Sequence, residues 1–349
     1  MTSPSRLRSR LRLLLGCLLA ASTASAWAAD ASRPLDATLP AYQPQPVSIA
    51  PDASYLTADG AVQLSGAEHV QYIVERFNTL FTSSHPNIRF AVDGKGTTSA
   101  VPLLMHGKTL FGAMGRAINP IEAVPYRKIV GANALEIRVA RTSDDTSGHL
   151  ATTLAVYVNR SNPLTQISAE DVARILSIGN PNGDYSAWGQ LGLKGEWTQR
   201  AIHPYGTPEY TGFGDYLQQT HLHGRQLAPL HEQLGNTEAI LKRIGSDPAG
   251  IGIAAIGMEN QQVKQLAILN DAGHVTTGTP AEVSDGSYPY GRWLYFYVRR
   301  LPGKPVDPLV REYLRLVLSR QGQQIIADQP RGYIPLSAAQ AAAELSKLD

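Results

Sequence analysis

Residues 288–298, Tyr-Pro-Tyr-Gly-Arg-Trp-Leu-Tyr-Phe-Tyr-Val, carry the clearest structural signal in the sequence. The last six are apolar, mostly aromatic or β-branched, and such residues favour strands. Alternation along a strand places Trp293, Tyr295 and Tyr297 on one face, which is more typical of a core than of a ligand cleft. Downstream, Asp307-Pro308 combines an N-cap with a proline at the first helical position, so a helix is predicted to begin there.

Predicted strands and helices alternate upstream of this stretch. Short apolar strands are expected at 61–64, 88–92, 110–114, 153–158 and 265–269, and helical spacing recurs at 70–81, 168–176, 211–219 and 237–244. Before the first helix, Ser65-Gly66-Ala67-Glu68 fits a capping box with serine at the N-cap and glutamate three residues later. The alternation predicts an α/β fold with largely parallel sheets.

Length and composition limit the classes of protein that fit. The chain has 349 residues, 43% of them hydrophobic, which predicts about two domains with real cores. Its 31 basic and 29 acidic residues give a formal charge of +2. Nucleic-acid binding requires a clustered basic excess, so no nucleic-acid partner is expected.

The first 28 residues are typical of a secretory signal peptide. Four arginines between positions 6 and 12 precede the short apolar run 13–21, and A-x-A cleavage sites end at Ala26 and Ala28. Leu14-Leu15-Gly16-Cys17 also resembles a lipoprotein cleavage box, but the later sites are favoured over lipidation of Cys17. We therefore expect a periplasmic or secreted protein. Five prolines without periodicity make residues 29–57 a predicted Pro-rich linker.

Three loops place small or hydroxylated residues where a strand passes into a helix: 65–68, 94–98 and 207–213. Free backbone N–H groups at a helix start can bind an anion. The alternative is that Gly, Ser and Thr are simply what such turns require. Ser99 stands where G-x-G-x-x-G would have its last glycine, so no nucleotide site and no cofactor are predicted.

The sequence shows no convincing catalytic or metal motif. His221, His223 and His231 lack an acidic third ligand at a diagnostic spacing, which favours structural or surface roles over a metal site. Asp144-Asp145 lies in a turn-rich segment, which is preferred over a paired-carboxylate acid/base role. No G-x-S-x-G motif is present, so a hydrolase triad has no visible nucleophile. With neither a nucleophile nor a metal set visible, the protein is not expected to be an enzyme.

Several fragments, in order, resemble the periplasmic phosphate-binding proteins of ABC uptake systems and, more broadly, the type 2 periplasmic binding-protein fold. They are residues 94–97, 111–116, 155–164, 167–176 with Trp188, 247–252, 288–292, 318–323 and 332–336. The resemblance spans roughly residues 60–338. It implies a monomer of two α/β lobes with mixed, mainly parallel sheets, a ligand cleft between the lobes and hinge closure. Lobe 1 would comprise residues 58–152 plus 292–349, and lobe 2 residues 153–291.

The resemblance also implies a set of ligand-binding residues and marks where this chain departs from the family. The candidates are Ser65, Gly66, Ala67, Lys95, Gly96, Thr97, Gly115, Arg116, Thr207, Thr211 and Gly212. Lys95 replaces a family serine, Gly115 an aspartate and Thr207 an arginine. Arginine is the preferred bidentate phosphate ligand, so its loss matters. We hypothesise that Lys95 and Arg116 restore the positive charge; the alternative is two solvated surface bases.

The expected function is that of an exported solute-binding protein that captures inorganic phosphate or a related small oxyanion, with an ABC permease as partner. The alternative is a secreted regulatory or interaction protein on the same fold with weak or lost ligand binding, which the missing arginine favours. A phosphatase ranks third, because no nucleophile or metal set is visible in the sequence.

Overall fold

The buried apolar runs of the sequence form the strands, and the amphipathic segments form the helices. The computed structural model describes residues 33–142, 152–328 and 332–349, which belong to one compact unit. The strands are β1 (Val62–Gly66), β2 (Phe90–Asp93), β3 (Gly112–Met114), β4 (Leu135–Arg141), β5 (Leu154–Asn159), β6 (Gln166–Ser168), β7 (His203–Gly206), β8 (Glu232–Gln233), β9 (Gly250–Ala255), β10 (Val263–Gln265), β11 (Ala267–Leu269), β12 (Val275–Thr276) and β13 (Trp293–Val298). The helices are α1 (Glu68–Ser84), α2 (Thr97–Met105), α3 (Pro120–Val130), α4 (Ala169–Leu176), α5 (Gly212–Thr220), α6 (Thr237–Gly245), α7 (Pro280–Asp285), α8 (Pro308–Val317), α9 (Arg320–Ala327) and α10 (Ala338–Leu345).

The first sheet has the strand order β2-β1-β3-β13-β4. β1 pairs in parallel with β2 and β3, whereas β13 returns from the far end of the chain and lies antiparallel between β3 and β4. α1, α8 and α9 contact one another beside this sheet, and their apolar faces share one buried cluster with its strands. Tyr295 and Tyr297 of β13 are buried in a smaller cluster with α2. The predicted core role of this aromatic face is therefore confirmed.

The second sheet has the order β10-β5-β9-β7-β8, and a small third sheet has the order β12-β11-β6. Every residue of β5 and β9 is buried, as expected for central strands covered on both faces. All three sheets are mixed. The antiparallel pairs come mainly from β13 in the first sheet and β5 in the second, so the parallel share is smaller than the sequence predicts.

The predicted capping box at Ser65 is wrong. α1 begins at Glu68 with Ala67 as its N-cap, and no side chain caps it. Ser65 instead belongs to β1, because the backbone pairs Ser65 with Gly112 and Gly66 with Ala113 in the parallel ladder with β3. A Cβ atom at Gly66 would lie 2.3 Å from the Ala113 carbonyl oxygen, so glycine permits this close approach.

The described part of the predicted linker lies against the helices of the first sheet. Leu39 is fully buried in the core cluster, and its carbonyl oxygen accepts a hydrogen bond from the Arg320 Nε at 3.0 Å. The Tyr42 hydroxyl donates to Glu312 of α8 at 2.6 Å. These contacts anchor residues 39–42 to α8 and α9.

The chain passes between the two large sheets at segments that lie side by side. The Thr142 amide donates to the Arg292 carbonyl at 3.0 Å, and the Arg292 amide donates to the Thr142 hydroxyl at 3.1 Å. The hydroxyls of Thr142 and Thr153 are also hydrogen bonded, at 3.0 Å. The predicted signal peptide and the Asp144-Asp145 turn lie outside the described residues. Within the described ranges, no helix is long and apolar enough to cross a membrane.

Candidate functional site

A cavity of about 410 Å³ lies between the elements of the two large sheets. Residues that follow β3, β7 and β9 line it, together with the starts of helices from both sides. The lining is His69, Thr97, Gly115, Arg116, Thr152, Thr207, Thr211, Gly212, Phe213, Gly235, Asn236, Thr237, Glu238, Ala255, Met258 and Arg292. Open α/β sheets bind ligands at the carboxyl ends of their strands, so this cavity is the candidate binding site.

Four helices begin at the cavity wall: α1 near His69, α2 at Thr97, α5 at Gly212 and α6 at Thr237. The first N–H groups of a helix lack intrahelical partners and carry partial positive charge. No side chain caps α1 or α2. The N-cap of α2 is Gly96, whose φ of +91° lies in the left-handed region that favours glycine. These helix starts favour a negatively charged ligand.

Arg292 supplies a buried positive charge to the cavity. The residue is only 4% exposed, and burial lowers its pKa to about 10. Its guanidinium donates to the Thr152 carbonyl from Nε at 3.0 Å and Nη2 at 2.5 Å, and to the Gly115 carbonyl from Nη1 at 3.2 Å. Among the described residues no carboxylate pairs with it, and three of its five N–H groups are engaged. The remaining two have no hydrogen-bond acceptor among the described residues.

Three buried polar atoms of the cavity lining lack a hydrogen-bond partner. They are the Nε2 of His69 and the hydroxyl oxygens of Thr152 and Thr207. A buried polar group without a partner costs free energy, typically about 1–3 kcal/mol. All three atoms belong to residues that line the cavity together with Arg292, and each can act as a hydrogen-bond donor.

His69 is a neutral donor rather than a second charge. Burial, and then the nearby charge of Arg292, lower the pKa of His69 to about 4. Its imidazole is thus uncharged at neutral pH, and either ring nitrogen can carry the proton. The Tyr333 hydroxyl donates to the His69 carbonyl at 2.7 Å, which holds the first turn of α1 in place.

Six of the eleven sequence-predicted site residues line the cavity: Thr97, Gly115, Arg116, Thr207, Thr211 and Gly212. The Thr211 hydroxyl, expected to be a ligand donor, is used within its own loop. It accepts from the Gly214 amide at 3.0 Å as the N-cap of α5 and donates to the Pro208 carbonyl at 2.7 Å. Thr207, whose hydroxyl has no partner, is the better placed of the two donors.

The other five predicted residues do not line this cavity. Ser65, Gly66 and Ala67 line a separate cavity of about 10 Å³ beneath the start of α1, and Gly96 lies next to Thr97 as the N-cap of α2. The Lys95 ammonium is 2.7 Å from Asp93, and its side chain is 64% exposed.

Arg116 lines the cavity, but its charge is matched by two carboxylates. Its guanidinium forms two hydrogen bonds with Glu122, both at 2.8 Å, and its Nε is 2.7 Å from Asp215. Burial alone would lower the pKa of Arg116, but the hydrogen bonds and charges of Glu122 and Asp215 outweigh it, and the pKa is raised. Arg292 therefore differs from Arg116 in having no charge partner in the described structure.

Arg292, His69 and Thr152 also line the cavity, although they are not among the sequence-predicted site residues. Arg292 stood in the quoted stretch 288–298, where an arginine directly before a strand of buried apolar residues was an available signal. Nothing in the local pattern marks His69 or Thr152, because their place in the cavity depends on how the two sheets meet.

The histidines weighed as metal ligands have other surroundings. Over the described ranges, no group of three or more His, Cys, Asp or Glu residues could hold a metal ion. The His221 ring packs against Tyr216 and Tyr290, and burial, with a smaller effect of His223, lowers the pKa of His221 to about 4. A structural role accounts for His221.

The fold and the cavity define a two-lobed α/β binding protein. The family model described as the PBP superfamily domain matches residues 51–321. The chain belongs to this superfamily of periplasmic binding proteins and has its type 2 fold.

Curated relatives match over nearly the whole chain. The Phosphate-binding protein PstS of Pseudomonas aeruginosa is 28% identical over 92% of this chain and 95% of its own length. The protein of the same name from Staphylococcus haemolyticus is 23% identical, over 79% of this chain and 81% of its own.

Solved structures share the fold at low sequence identity. An ABC-type phosphate transport receptor from Vibrio cholerae has a TM-score of 0.56 at 18% identity and covers 79% of this chain and 100% of its own. PstS from Borrelia burgdorferi has a TM-score of 0.56 at 16% identity and covers 79% of this chain and 99% of its own.

Proposed function

We propose that this protein is an exported solute-binding protein that captures inorganic phosphate, or a related small oxyanion, in the cavity between its two sheets. The observation that carries the proposal is Arg292, a buried guanidinium with no carboxylate partner among the described residues, at a cavity lined by helix starts. A buried charge left unpaired is costly, and a bound anion removes that cost.

The lining supports the binding of an anion. His69, Thr152 and Thr207 offer unpartnered polar atoms around Arg292, and hydrogen bonds to a charged ligand each contribute about 1.5–3 kcal/mol. The relatives from Pseudomonas aeruginosa and Staphylococcus haemolyticus are named for phosphate binding. Delivery to an ABC permease, and a monomeric state, belong to the same proposal.

The remaining parts of the proposal concern the chain's organisation. Residues 1–28 act as a cleaved signal peptide, and lipidation at Cys17 is the less favoured form. Residues 58–152 plus 292–349 form one lobe and residues 153–291 the other. This division follows the sheets, because β13 completes the first sheet while β5, β7 and β9 belong to the second.

The alternative is a secreted regulatory or interaction protein that has lost tight ligand binding. Thr207 stands where the family has its phosphate-binding arginine, and this departure favours the alternative. Arg292 weighs against it, because it supplies a positive charge from a different element.

Calorimetric titration of the mature protein with phosphate and sulfate tests the proposal, alongside a chromogenic phosphoester assay. The expected result is saturable binding of phosphate without turnover of the ester. Absence of binding by both anions would support the interaction protein, and hydrolysis of the ester would support an enzyme.

A further inference from the structure

Arg116 and Asp215 form a buried ion pair between elements of the two large sheets. Arg116 follows β3 of the first sheet, and Asp215 lies in the first turn of α5, which follows β7 of the second. The Nε of Arg116 is 2.7 Å from the Oδ2 of Asp215, and the two side chains are only 6% and 13% exposed. The side-chain Nδ2 of Asn119, also on the first side, donates to the same oxygen at 3.1 Å.

The first-sheet side of this contact is rigidly built. Glu122 binds the outer edge of the Arg116 guanidinium with both oxygens, at 2.8 Å each. Glu122 and Asn119 also complete the capping box of α3: the Asn119 side chain accepts from the Glu122 backbone N–H, and the Glu122 side chain accepts from the Asn119 backbone N–H. Arg116 is thus fixed by its own side of the molecule, and Nε is left for Asp215.

We propose that Arg116, Asn119 and Asp215 form a clasp that holds the two lobes together across the binding cavity, and that Arg116 is a positioning residue rather than a ligand for the anion. Buried carboxylates already match the charge of Arg116. The charge on the ligand is met instead by Arg292, so two buried arginines of one cavity have separate tasks.

The clasp determines how much of the unliganded protein has its binding groups assembled. The groups around Arg292 come from both sheets, with Thr207 on the second side and His69 on the first. The apparent dissociation constant equals the intrinsic one divided by the fraction of molecules in the competent arrangement. A clasp that raises this fraction strengthens binding and slows ligand release. This consequence for affinity rests on the proposed oxyanion function, whereas the joining of the lobes does not.

The test measures the distance between the lobes of the mature protein by double electron–electron resonance between two spin labels. Glu75→Cys on α1 and Lys242→Cys on α6 place one spin label on each side, at exposed positions. Cys17, the one cysteine of the sequence, lies in the predicted signal peptide, so only the introduced sites react. Asp215→Ala removes the clasp. Glu122→Gln is the matched control, because it also removes a carboxylate partner of Arg116 but makes no contact across the cavity.

Without phosphate, the parent and Glu122→Gln are expected to give the same distance distribution, narrower than that of Asp215→Ala. Asp215→Ala should broaden and lengthen the distribution without phosphate and release bound phosphate at least about tenfold faster. Asn119→Asp is a second variant that retains an N-cap for α3 but places a carboxylate against Asp215; it should open the lobes in the same way.

An unchanged distribution in both Asp215→Ala and Asn119→Asp would overturn the clasp. Equal broadening in Glu122→Gln would also overturn it, because the effect would then be general loosening. If no variant and no parent binds phosphate, the proposed function fails, and the distances still decide whether the clasp exists.

Discussion

The guanidinium of Arg292 and the carbonyl oxygen of Thr152 are joined by two hydrogen bonds, from Nε at 3.0 Å and from Nη2 at 2.5 Å. Arg292 lies on one of the segments that pass between the two sheets, and Thr152 on the other. The side chain that carries the cavity's unmatched charge is therefore held at the joint between the lobes.

Arg292→Gln should weaken phosphate binding at least about tenfold, because it removes the buried charge and its donors. Arg141→Gln is a suitable control: burial likewise lowers the pKa of Arg141 to about 10, but its side chain packs on Trp293 and does not line the cavity. Calorimetric titration of both variants distinguishes the loss of a charge in the cavity from the loss of a buried charge elsewhere in the protein. Equal losses in both variants would contradict the role given to Arg292.

Thr207→Val should weaken phosphate binding about tenfold while leaving the unliganded protein at least as stable as the parent. The Thr207 hydroxyl has no partner in the described structure, so valine removes a ligand donor and a buried unsatisfied group together. Affinity and thermal midpoint, measured on the same preparation, give the two readouts. A lowered midpoint with unchanged affinity would assign Thr207 to the structure of its loop.

Thr211→Val should instead lower the stability of the protein more than its affinity for phosphate. It deletes the N-cap contact to the Gly214 amide, which typically costs about 1 kcal/mol, and affinity should fall only as far as the loop loosens. Thr211→Ser retains the oxygen and should behave like the parent in both measurements. Denaturant unfolding of the two variants checks the difference.

Stability should fall as the pH drops from about 6.5 towards 4. Burial lowers the pKa values of His69, His221 and His231 to about 4 in the folded state, whereas the unfolded chain titrates near 6.5. In that window the unfolded state binds more protons, so acid favours unfolding, and the contribution is complete above about pH 6.5. Each histidine accounts for roughly 3 kcal/mol at most.

Urea unfolding at pH 7 and pH 5 measures this effect. His221→Phe, which retains a ring between Tyr216 and Tyr290, should show a smaller pH dependence than the parent. The exposed His274→Gln is the control and should retain the parent's dependence. If the free energy of unfolding changes equally between pH 7 and pH 5 in all three proteins, these buried histidines do not set the acid limit of stability.

Lys95→Gln tests the charge compensation expected from the sequence. The Lys95 side chain is 64% exposed and paired with Asp93, outside the cavity lining. At physiological salt an exposed charge is largely screened, so the phosphate affinity should change less than about twofold. A tenfold loss of phosphate affinity at the same salt concentration would instead show that Lys95 contributes to the binding site.

The sequence predicted the strands and helices better than it predicted where they begin and end. The helix of 70–81 and the strand of 293–298 were found because apolar periodicity and residue type act locally. Ser65 was assigned to a cap because its neighbours fit a local motif, but pairing with Gly112 on a distant strand decided its conformation. Local patterns do not record such long-range pairing.

The site was predicted in part for the same reason. Gly115 and Thr207 directly follow strands, and Thr211 is the N-cap of α5; local pattern and family order can locate such positions. Only the family resemblance predicts Lys95 as a site residue, and its side chain pairs with Asp93 instead. The charge balance of Arg116 and Arg292 depends on which carboxylates the fold brings near each, and only the packed molecule determines that.

The place of β13 in the first sheet has a consequence for the order in which the chain acquires its structure during synthesis. β4 pairs only with β13 within that sheet, and β3 meets β4 only through it. Every strand of the second sheet is synthesised before residue 293 emerges. When about five-sixths of the chain has been synthesised, one edge of β3 and all of β4 are therefore still unpaired within the first sheet. The first sheet, whose strands begin earliest in the sequence, is thus completed after the second.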